Sequence, residues 1–207
     1  MKDLEIRGAG NLLGGEQSGH IAGVGFDLYV RMVGEAVAAF RGESTAPEKE
    51  IRVELPVDAH LPHDYIGSER LRLEAYSKLS AVRSEDEIAQ IRAELTDRYG
   101  EPPAPVQLLL DVAAFRIAAR AAGIDEIQAQ GKMIRFAHLE PADSVAMRLK
   151  RLYPGTMLKP ALRQVLVPRP TTSRFGGTEL RDQELLAWAR EVLGVLVPAS
   201  APVASQA

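Results

Sequence analysis

Apolar side chains recur every three to four residues in six segments of the chain, which predicts six helices with one buried face each. Ser68 precedes the second helix, and Ser84 with Glu87 forms a capping-box pattern before the third. Gly42 and Gly100 are placed to end the first and third helices. The apolar positions predicted to face inward are Phe26, Tyr29, Val30, Val33, Val37 and Phe40; Leu71, Ala75, Leu79 and Val82; Ile88, Ile91, Leu95 and Tyr99; Val106, Leu109, Leu110, Ala113 and Ile117; Val145, Leu149 and Leu152; and Leu185, Ala189, Val192 and Leu196.

Elsewhere the apolar pattern has a period of two, which predicts short strands. Residues 51–57 alternate apolar and polar side chains, as in a half-buried strand that is ended by prolines. Residues 125–139 form two alternating runs around Gln130-Gly131, which predicts a β-hairpin. Two further strands are predicted at 156–159 and 163–168.

These elements predict a compact α+β domain at residues 51–197, with short strands and several helices. Residues 1–42, a glycine-rich loop and one helix, are predicted to belong to a different unit. Residues 43–50 are polar and acidic and are interpreted as a linker. Residues 169–178 are expected to form a flexible basic loop, and the alanine-rich tail at 198–207 is expected to be disordered.

The composition is that of a soluble globular protein, with 46% apolar and 26% charged residues. No apolar run approaches the length of a membrane helix, and the amino terminus lacks the apolar core of a signal peptide. The chain has no cysteine, which excludes disulfides, thiolate chemistry and cysteine-based zinc sites. A cytoplasmic location is predicted.

Acidic and basic residues are separated along the sequence, although the net charge is only −3. Residues 43–101 contain fourteen acids and eight bases, whereas residues 144–178 contain seven bases and no acid. The basic stretch has three open interpretations: a phosphate-binding surface, a solvated basic face, and a docking surface for an acidic partner such as another part of a larger protein. Its bases are Arg148, Lys150, Arg151, Lys159, Arg163, Arg169 and Arg174.

No self-contained active site is predicted, and no catalytic or metal-binding residue is assigned. The sequence contains neither a phosphate-binding loop of the Gly-x-x-x-x-Gly-Lys-Ser/Thr type nor an Asp-Glu-x-His/Asp run. His60 and His63 have a spacing that could share a metal on a helix, but the neighbouring prolines favour an extended chain. His138 is expected to be exposed. Ser18 and His20 lie close in sequence, but nothing indicates the rest of a catalytic triad.

The segment Arg7–Gly19 is dense in glycine and polar at its far end. Its glycines permit positive φ angles and a close approach of the backbone to another chain or to DNA. Arg7 offers a planar donor fork for phosphate or carboxylate, and Gln17 and Ser18 add further donors and acceptors. The segment is interpreted as a mobile, hydrogen-bonding lever; the alternative is a plain glycine-rich connector.

A family resemblance covers nearly the whole chain apart from its tail. "DLEIRGAGNLLGGEQSGHIAGVGFDLYVRM" closely resembles the translocation motif of bacterial transcription-repair coupling factors, a motif that is shared with related branched-DNA helicases and follows the last helicase motif of a RecA-like motor domain. "VELPVDAHLPHDYI" resembles the start of their C-terminal domain, and the resemblance continues through "RLRLEAYSKL", "ELTDRYGEPP" and Arg135-Phe136. Gly15 departs from the motif, since many relatives carry an acidic residue there.

The resemblance implies part of an ATP-driven translocase on double-stranded DNA that displaces stalled RNA polymerase and recruits excision repair through UvrA. Residues 1–42 would couple ATP hydrolysis to movement, so that Arg7→Ala or Gln17→Ala would spare hydrolysis more than strand displacement. Residues 51–197 would form a regulatory domain that masks the N-terminal UvrA-binding module of the same protein. The implied coupling residues are Arg7, Gly8, Gly10, Gly14, Gln17, Ser18 and Gly19.

The family's phosphate loop, magnesium-binding acids and polymerase-binding module have no counterpart in this sequence. ATP and magnesium are therefore expected in the parent protein and not on this chain. We expect the chain to be a C-terminal fragment without ATPase activity of its own. The alternative hypothesis is a free-standing nucleic-acid-binding module that works through residues 144–178.

Overall fold

The computed structural model describes residues 51–173 and 177–197. The described part confirms the predicted α+β domain of short strands and several helices, whereas the predicted motor-domain loop and helix at 1–42, the linker at 43–50 and the tail at 198–207 lie outside it. A short 3-10 turn, Pro160–Leu162, joins the last two strands. In chain order the helices and strands are β1 (Arg52–Glu54), α1 (Glu69–Ala81), α2 (Glu85–Tyr99), α3 (Ala104–Ala121), β2 (Glu126–Gln130), β3 (Met133–Ala137), α4 (Asp143–Leu152), β4 (Met157–Lys159), β5 (Gln164–Pro168) and α5 (Asp182–Leu196).

The strands form one five-stranded sheet in the order β1-β2-β3-β5-β4. β1 lies parallel to β2, although three helices separate the two strands in the chain. The other pairs are antiparallel, and β2 with β3 forms the predicted hairpin. The register places Ile127 opposite Phe136 and Phe136 opposite Val165, so these apolar side chains share one face of the sheet.

The two faces of the sheet differ in chemistry. One face is buried and apolar and includes Val53, Ile127, Ile134, Phe136, Val165 and Val167. The alternate positions of the first three strands carry polar side chains, among them Arg52, Glu126 and Arg135. The helices therefore cover the apolar face, and the domain has two layers around one core.

α3 is the central helix of this core. Leu109, Phe115 and Ala119 are fully buried along it, and Pro105 stands in its first turn as predicted. Burying an apolar side chain of this size contributes about 1.5–3 kcal/mol before the cost of ordering it.

Two serines begin helices as predicted, but only one of them caps through its side chain. The Ser84 hydroxyl accepts a hydrogen bond from the Glu87 N–H at 3.3 Å. The Glu87 carboxylate accepts from the N–H of Arg83 at 2.6 Å, one residue earlier than the capping box predicts. Ser68 occupies the N-cap position of α1 without a side-chain hydrogen bond.

Two predicted details are wrong. The hairpin turn consists of Gly131 and Lys132, because Gln130 still pairs with Met133; Gly131 has a φ of +57°. Leu152 was predicted to face inward but is 48% exposed. The adjacent Tyr153 packs edge-on against Trp188 and fills the space at the end of α4 instead.

One backbone hydrogen bond ties the predicted basic loop to the hairpin, and another joins two residues of the loop on either side of residues 174–176, which lie outside the described ranges. The N–H of Arg169 donates to the Lys132 carbonyl at 2.9 Å, and the N–H of Thr172 donates to the Thr178 carbonyl at 2.9 Å. Beyond the loop, the carboxylate of Asp182 accepts from the N–H of Asp58 at 2.7 Å and so links the start of α5 to the segment after β1.

Candidate functional site

α4 is an amphipathic helix whose inner side is narrow. Leu149 is fully buried at its centre, and Val145 packs beside it against the core. Asp143 lies in the first turn, while Lys150 and Arg151 lie in the last turn, where cations interact favourably with the carbonyl end of a helix.

The outer side of α4 combines cations with exposed apolar side chains. Met147 is 69% exposed, and Lys150 and Arg151 follow it at i+3 and i+4, the spacings that place residues on the same side of a helix. Arg148 and the exposed Leu152 form a second i,i+4 pair. We call these five residues the α4 face.

The cations of the α4 face form no ion pair within residues 51–173 and 177–197. Arg148, Lys150 and Arg151 are all exposed and lie on one short helix. Three like charges on so short a helix repel one another. Their field is therefore directed at solvent or at a binding partner.

The rest of the predicted basic stretch does not join this surface. Arg163 pairs with Glu140 at 3.1 Å, and Arg169, which is only 14% exposed, pairs with Glu179 at 2.7 Å. Both acids lie just outside residues 144–178, so a stretch that is free of acids in sequence is partly neutralised in space. Lys159 is exposed on the edge strand β4, and Arg174 lies outside the described residues.

The aromatic side chain that directly follows α4 is already engaged. Tyr153 contacts Trp188 of α5 with ring centroids 5.9 Å apart and an interplanar angle of 81°. Burial raises the pKa of the Tyr153 hydroxyl, and Glu191 raises it further, while Arg148 opposes the shift. Tyr153 therefore fixes the end of α4 and does not offer an open ring for stacking on a nucleic-acid base.

The polar face of the sheet holds a network that the sequence analysis did not identify. Arg135 reaches Glu126 at 2.7 Å and donates to Gln128 at 2.9 Å. Gln128 in turn donates to Glu54 at 2.6 Å, and Arg52 lies 3.8 Å from Glu126. The alternation of each strand indicated a polar face, but the pairing of β1 with β2 that closes the network depends on contacts between distant parts of the chain.

The histidines of the described domain are not gathered into a cluster. His60 lies 2.9 Å from Asp58, and His138 is exposed, as predicted, and contacts Asp125. Within the described ranges no group of three or more histidines and acids is arranged to hold a metal ion. A depression between α1 and α2 has room for about 20 Å³, which accommodates no more than a water molecule.

The predicted coupling residues between Arg7 and Gly19 lie outside the described residues, as does His20. Their role in coupling stays a prediction. In the part of the chain that the structure covers, no helix is both long and apolar enough to cross a membrane.

Comparisons with known proteins agree on one family. The model of the TRCF domain matches residues 55–148, from the end of β1 into α4. The transcription-repair-coupling factor of Mycobacterium tuberculosis (strain CDC 1551 / Oshkosh) is 48% identical over 208 residues, which cover 95% of this chain. That of Staphylococcus epidermidis (strain ATCC 12228 / FDA PCI 1200) is 45% identical over 137 residues, which cover 65% of this chain.

The chain spans only a small part of these relatives, 17% of the mycobacterial protein and 12% of the staphylococcal one. Among solved structures, the C-terminal domain of a transcription-repair coupling factor has a TM-score of 0.54 and 18% identity. The match covers 71% of this chain and 94% of that domain. Because the identity is only 18%, this match shows a shared fold. The shared fold is consistent with the family of the sequence relatives.

Proposed function

Because this chain belongs to the transcription-repair-coupling factor family, we propose that it is the C-terminal part of an ATP-dependent DNA translocase. The longer protein displaces RNA polymerase stalled on its template and recruits nucleotide excision repair through UvrA. Its ATP and magnesium are held by a motor outside this chain. Within residues 1–42, Arg7 and Gln17 couple ATP hydrolysis to movement along the duplex.

The described domain acts as a docking module that restrains the rest of the protein. It binds the N-terminal UvrA-binding module of the same polypeptide and thereby hides the surface that UvrA recognises. The observation that carries this proposal is the α4 face, which presents two exposed apolar side chains beside three exposed cations that form no ion pair with any described residue. Such a combination supports protein docking, because charge steers the encounter and apolar contact adds affinity.

The proposal is tested by deleting residues 51–197 from the full-length protein and measuring UvrA binding in the absence of RNA polymerase. Loss of the mask is expected to increase the affinity for UvrA, because the free module no longer has to break an internal contact before it binds. A deletion of the tail at 198–207 is the control and is expected to leave UvrA binding unchanged. Equal UvrA affinity with and without residues 51–197 would remove masking from the function of this domain.

A further inference from the structure

A small depression between the end of α1 and the C-terminal half of α3 is lined by two arginines. Arg116 and Arg120 stand one helical turn apart on α3, and both line the depression. We propose that this depression binds the acidic segment 43–50 of the same chain, through the carboxylates of Glu48 and Glu50. The inference is independent of the proposed masking of UvrA binding, because it concerns how the domain holds the chain that leads into it.

The depression attracts anions because its two guanidinium groups are close together and shielded from water. Arg116 is only 8% exposed, and Arg120 is half-buried. Water screens a buried charge less than an exposed one, so a carboxylate is attracted more strongly here than by an arginine on the open surface. Like charges at i and i+4 also repel each other, and an anion between them offsets that repulsion. The lining therefore selects a ligand with negative charge.

The size of the depression favours a carboxylate among the anions. It has room for about 10 Å³, which accommodates one water-sized atom but neither a phosphate group nor a nucleotide. Leu79 and Val82 contribute apolar lining, and the hydroxyl of Ser80 already donates to the carbonyl of Ser77 at 2.8 Å. The guanidinium groups are therefore the donors that a ligand meets, and a carboxylate oxygen is an acceptor that fits.

The path of the chain brings the acidic segment close to this depression. The N–H of Arg52 donates to the Asp125 carbonyl at 2.8 Å, so the chain enters β1 beside the loop that follows α3. That loop is tied to the last turn of α3, because the N–H of Gly123 donates to the carbonyl of Arg120 at 2.9 Å. An extended segment as long as residues 43–50 spans about 26 Å, whereas one helical turn advances only about 5.4 Å.

The composition of the segment complements the two arginines. Residues 43–50 contain three glutamates and one lysine. Glu48 and Glu50 are separated by one residue, so an extended backbone would place both carboxylates on the same side. A ligand that is tethered beside its site has a high effective concentration, which favours this segment over a free carboxylate or a second copy of the chain. The contact would join the segment to the central helix of the core as well as to β1.

The test uses the 207-residue chain with Arg120→Lys, which keeps the positive charge and introduces an amine. A carbodiimide joins an amine only to a carboxylate that contacts it, and mass spectrometry identifies the two joined residues. Arg70→Lys, at an exposed position in the first turn of α1, is the matched control. Reactions are run at several protein concentrations and at low and high salt, and thermal unfolding verifies that each variant is folded.

We expect the amine at position 120 to be joined to Glu48 or Glu50 of the same molecule. The yield should not depend on protein concentration, and it should fall at high salt because salt screens the attraction that holds the carboxylate in place. The amine at position 70 should not be joined to residues 43–50.

A second measurement leaves both arginines unchanged. Glu48→Gln combined with Glu50→Gln removes two charges before β1 and replaces no residue of the described core. In NMR spectra of the labelled chain, this double substitution is expected to shift the backbone amide signals of Arg116 and Arg120. Lys49→Gln, a charge change within the same segment, is the control and is expected to leave those signals nearly unchanged.

Absence of the product between position 120 and residues 43–50 in the folded variant would overturn the proposal, as would amide signals of α3 that do not respond to the loss of both glutamates. A product formed only between molecules would show that a second copy occupies the depression and would overturn the contact within one chain. A product with a carboxylate outside residues 43–50 would assign the depression to another segment and overturn this one. UvrA binding, the test of masking, is unaffected by each of these outcomes.

Discussion

Tyr76 shows how much one buried polar atom matters in this domain. The side chain is almost fully buried on α1, and its hydroxyl oxygen accepts a hydrogen bond from the N–H of Leu61 at 2.7 Å. This bond anchors the irregular segment between β1 and α1 to the helix that follows it. A backbone donor that loses its acceptor in such a place retains the full cost of its desolvation.

Tyr76→Phe is therefore expected to lower the free energy of unfolding by about 1–3 kcal/mol, because the N–H of Leu61 is left without this acceptor. Urea denaturation measures the change. Tyr99→Phe is the matched control, since the Tyr99 hydroxyl makes no hydrogen bond within residues 51–173 and 177–197, and it should shift stability by less than about 0.5 kcal/mol. Equal effects of the two substitutions would contradict the assigned role of Tyr76.

At the scale of single residues, the sequence predicted which side chains are buried better than it predicted their hydrogen-bond and ion-pair partners. Leu79, Leu149 and Leu185 are buried as their helical spacing predicts. The bond between Tyr76 and Leu61 and the ion pair between Arg169 and Glu179 join groups whose spacing in the chain carries no periodic signal. Such partners are fixed by the fold as a whole.

At the scale of helices and strands, Ser84 and Ser68 form a natural comparison. Both occupy the N-cap position of a helix, but only the Ser84 hydroxyl accepts a backbone hydrogen bond there. Ser84→Ala is expected to lower the free energy of unfolding by about 1 kcal/mol, because one free N–H of the first turn loses its acceptor. Ser68→Ala is expected to change it by only a few tenths of a kcal/mol.

Chemical denaturation of the two variants distinguishes them. If Ser68→Ala lowered stability as much as Ser84→Ala, the effect would come from replacing a serine at the N-cap position and not from the loss of the hydrogen bond. The choice of alanine in both cases keeps the change in helix propensity the same.

Both limits of α2 follow from local chemistry, at Ser84 and at Gly100, and this is why the sequence predicted them. Gly100 ends α2 with a φ of +85°, a conformation that other residues adopt only with strain. The error at Leu152 arose where a neighbour in space intervenes. Leu152 is displaced from the core because Tyr153 and Trp188 meet at the end of α4.

At the scale of the whole molecule, one continuous core connects the first helix to the last. Leu79 on α1 and Leu185 on α5 are both fully buried members of the same apolar cluster. A substitution that destabilises α1 should therefore also lower the stability of α5, because packing is continuous across the described domain and the two helices unfold together.

Leu79→Ala is expected to cost about 2–5 kcal/mol and to lower the unfolding midpoint that Trp188 reports from α5. Trp188 is the single tryptophan of the chain, so its fluorescence reads that helix directly. Leu162→Ala removes a side chain that is mostly exposed and should leave the midpoint nearly unchanged. A Trp188 midpoint that is insensitive to Leu79→Ala would divide the domain into independent units.

The order of the strands in the sheet could not be predicted from the sequence. The hairpin of β2 and β3 is local and was predicted, but the parallel pairing of β1 with β2 closes around three helices. No periodicity specifies which edge a distant strand joins. The sequence predicted the cations of the α4 face as part of a basic stretch. Only the structure shows that Arg163 and Arg169 of that stretch are paired with acids and do not belong to the α4 face.

The position of β1 has a mechanical consequence. β1 is three residues long, lies at one end of the sheet, and begins one residue after the start of the described domain. Tension that enters the domain along the preceding backbone would load β1 before any other described element. Separation of β1 from β2 would expose Ile51, Val53 and Leu55 while the four remaining strands stayed paired. The domain would therefore lose this edge strand before the rest of it unfolded.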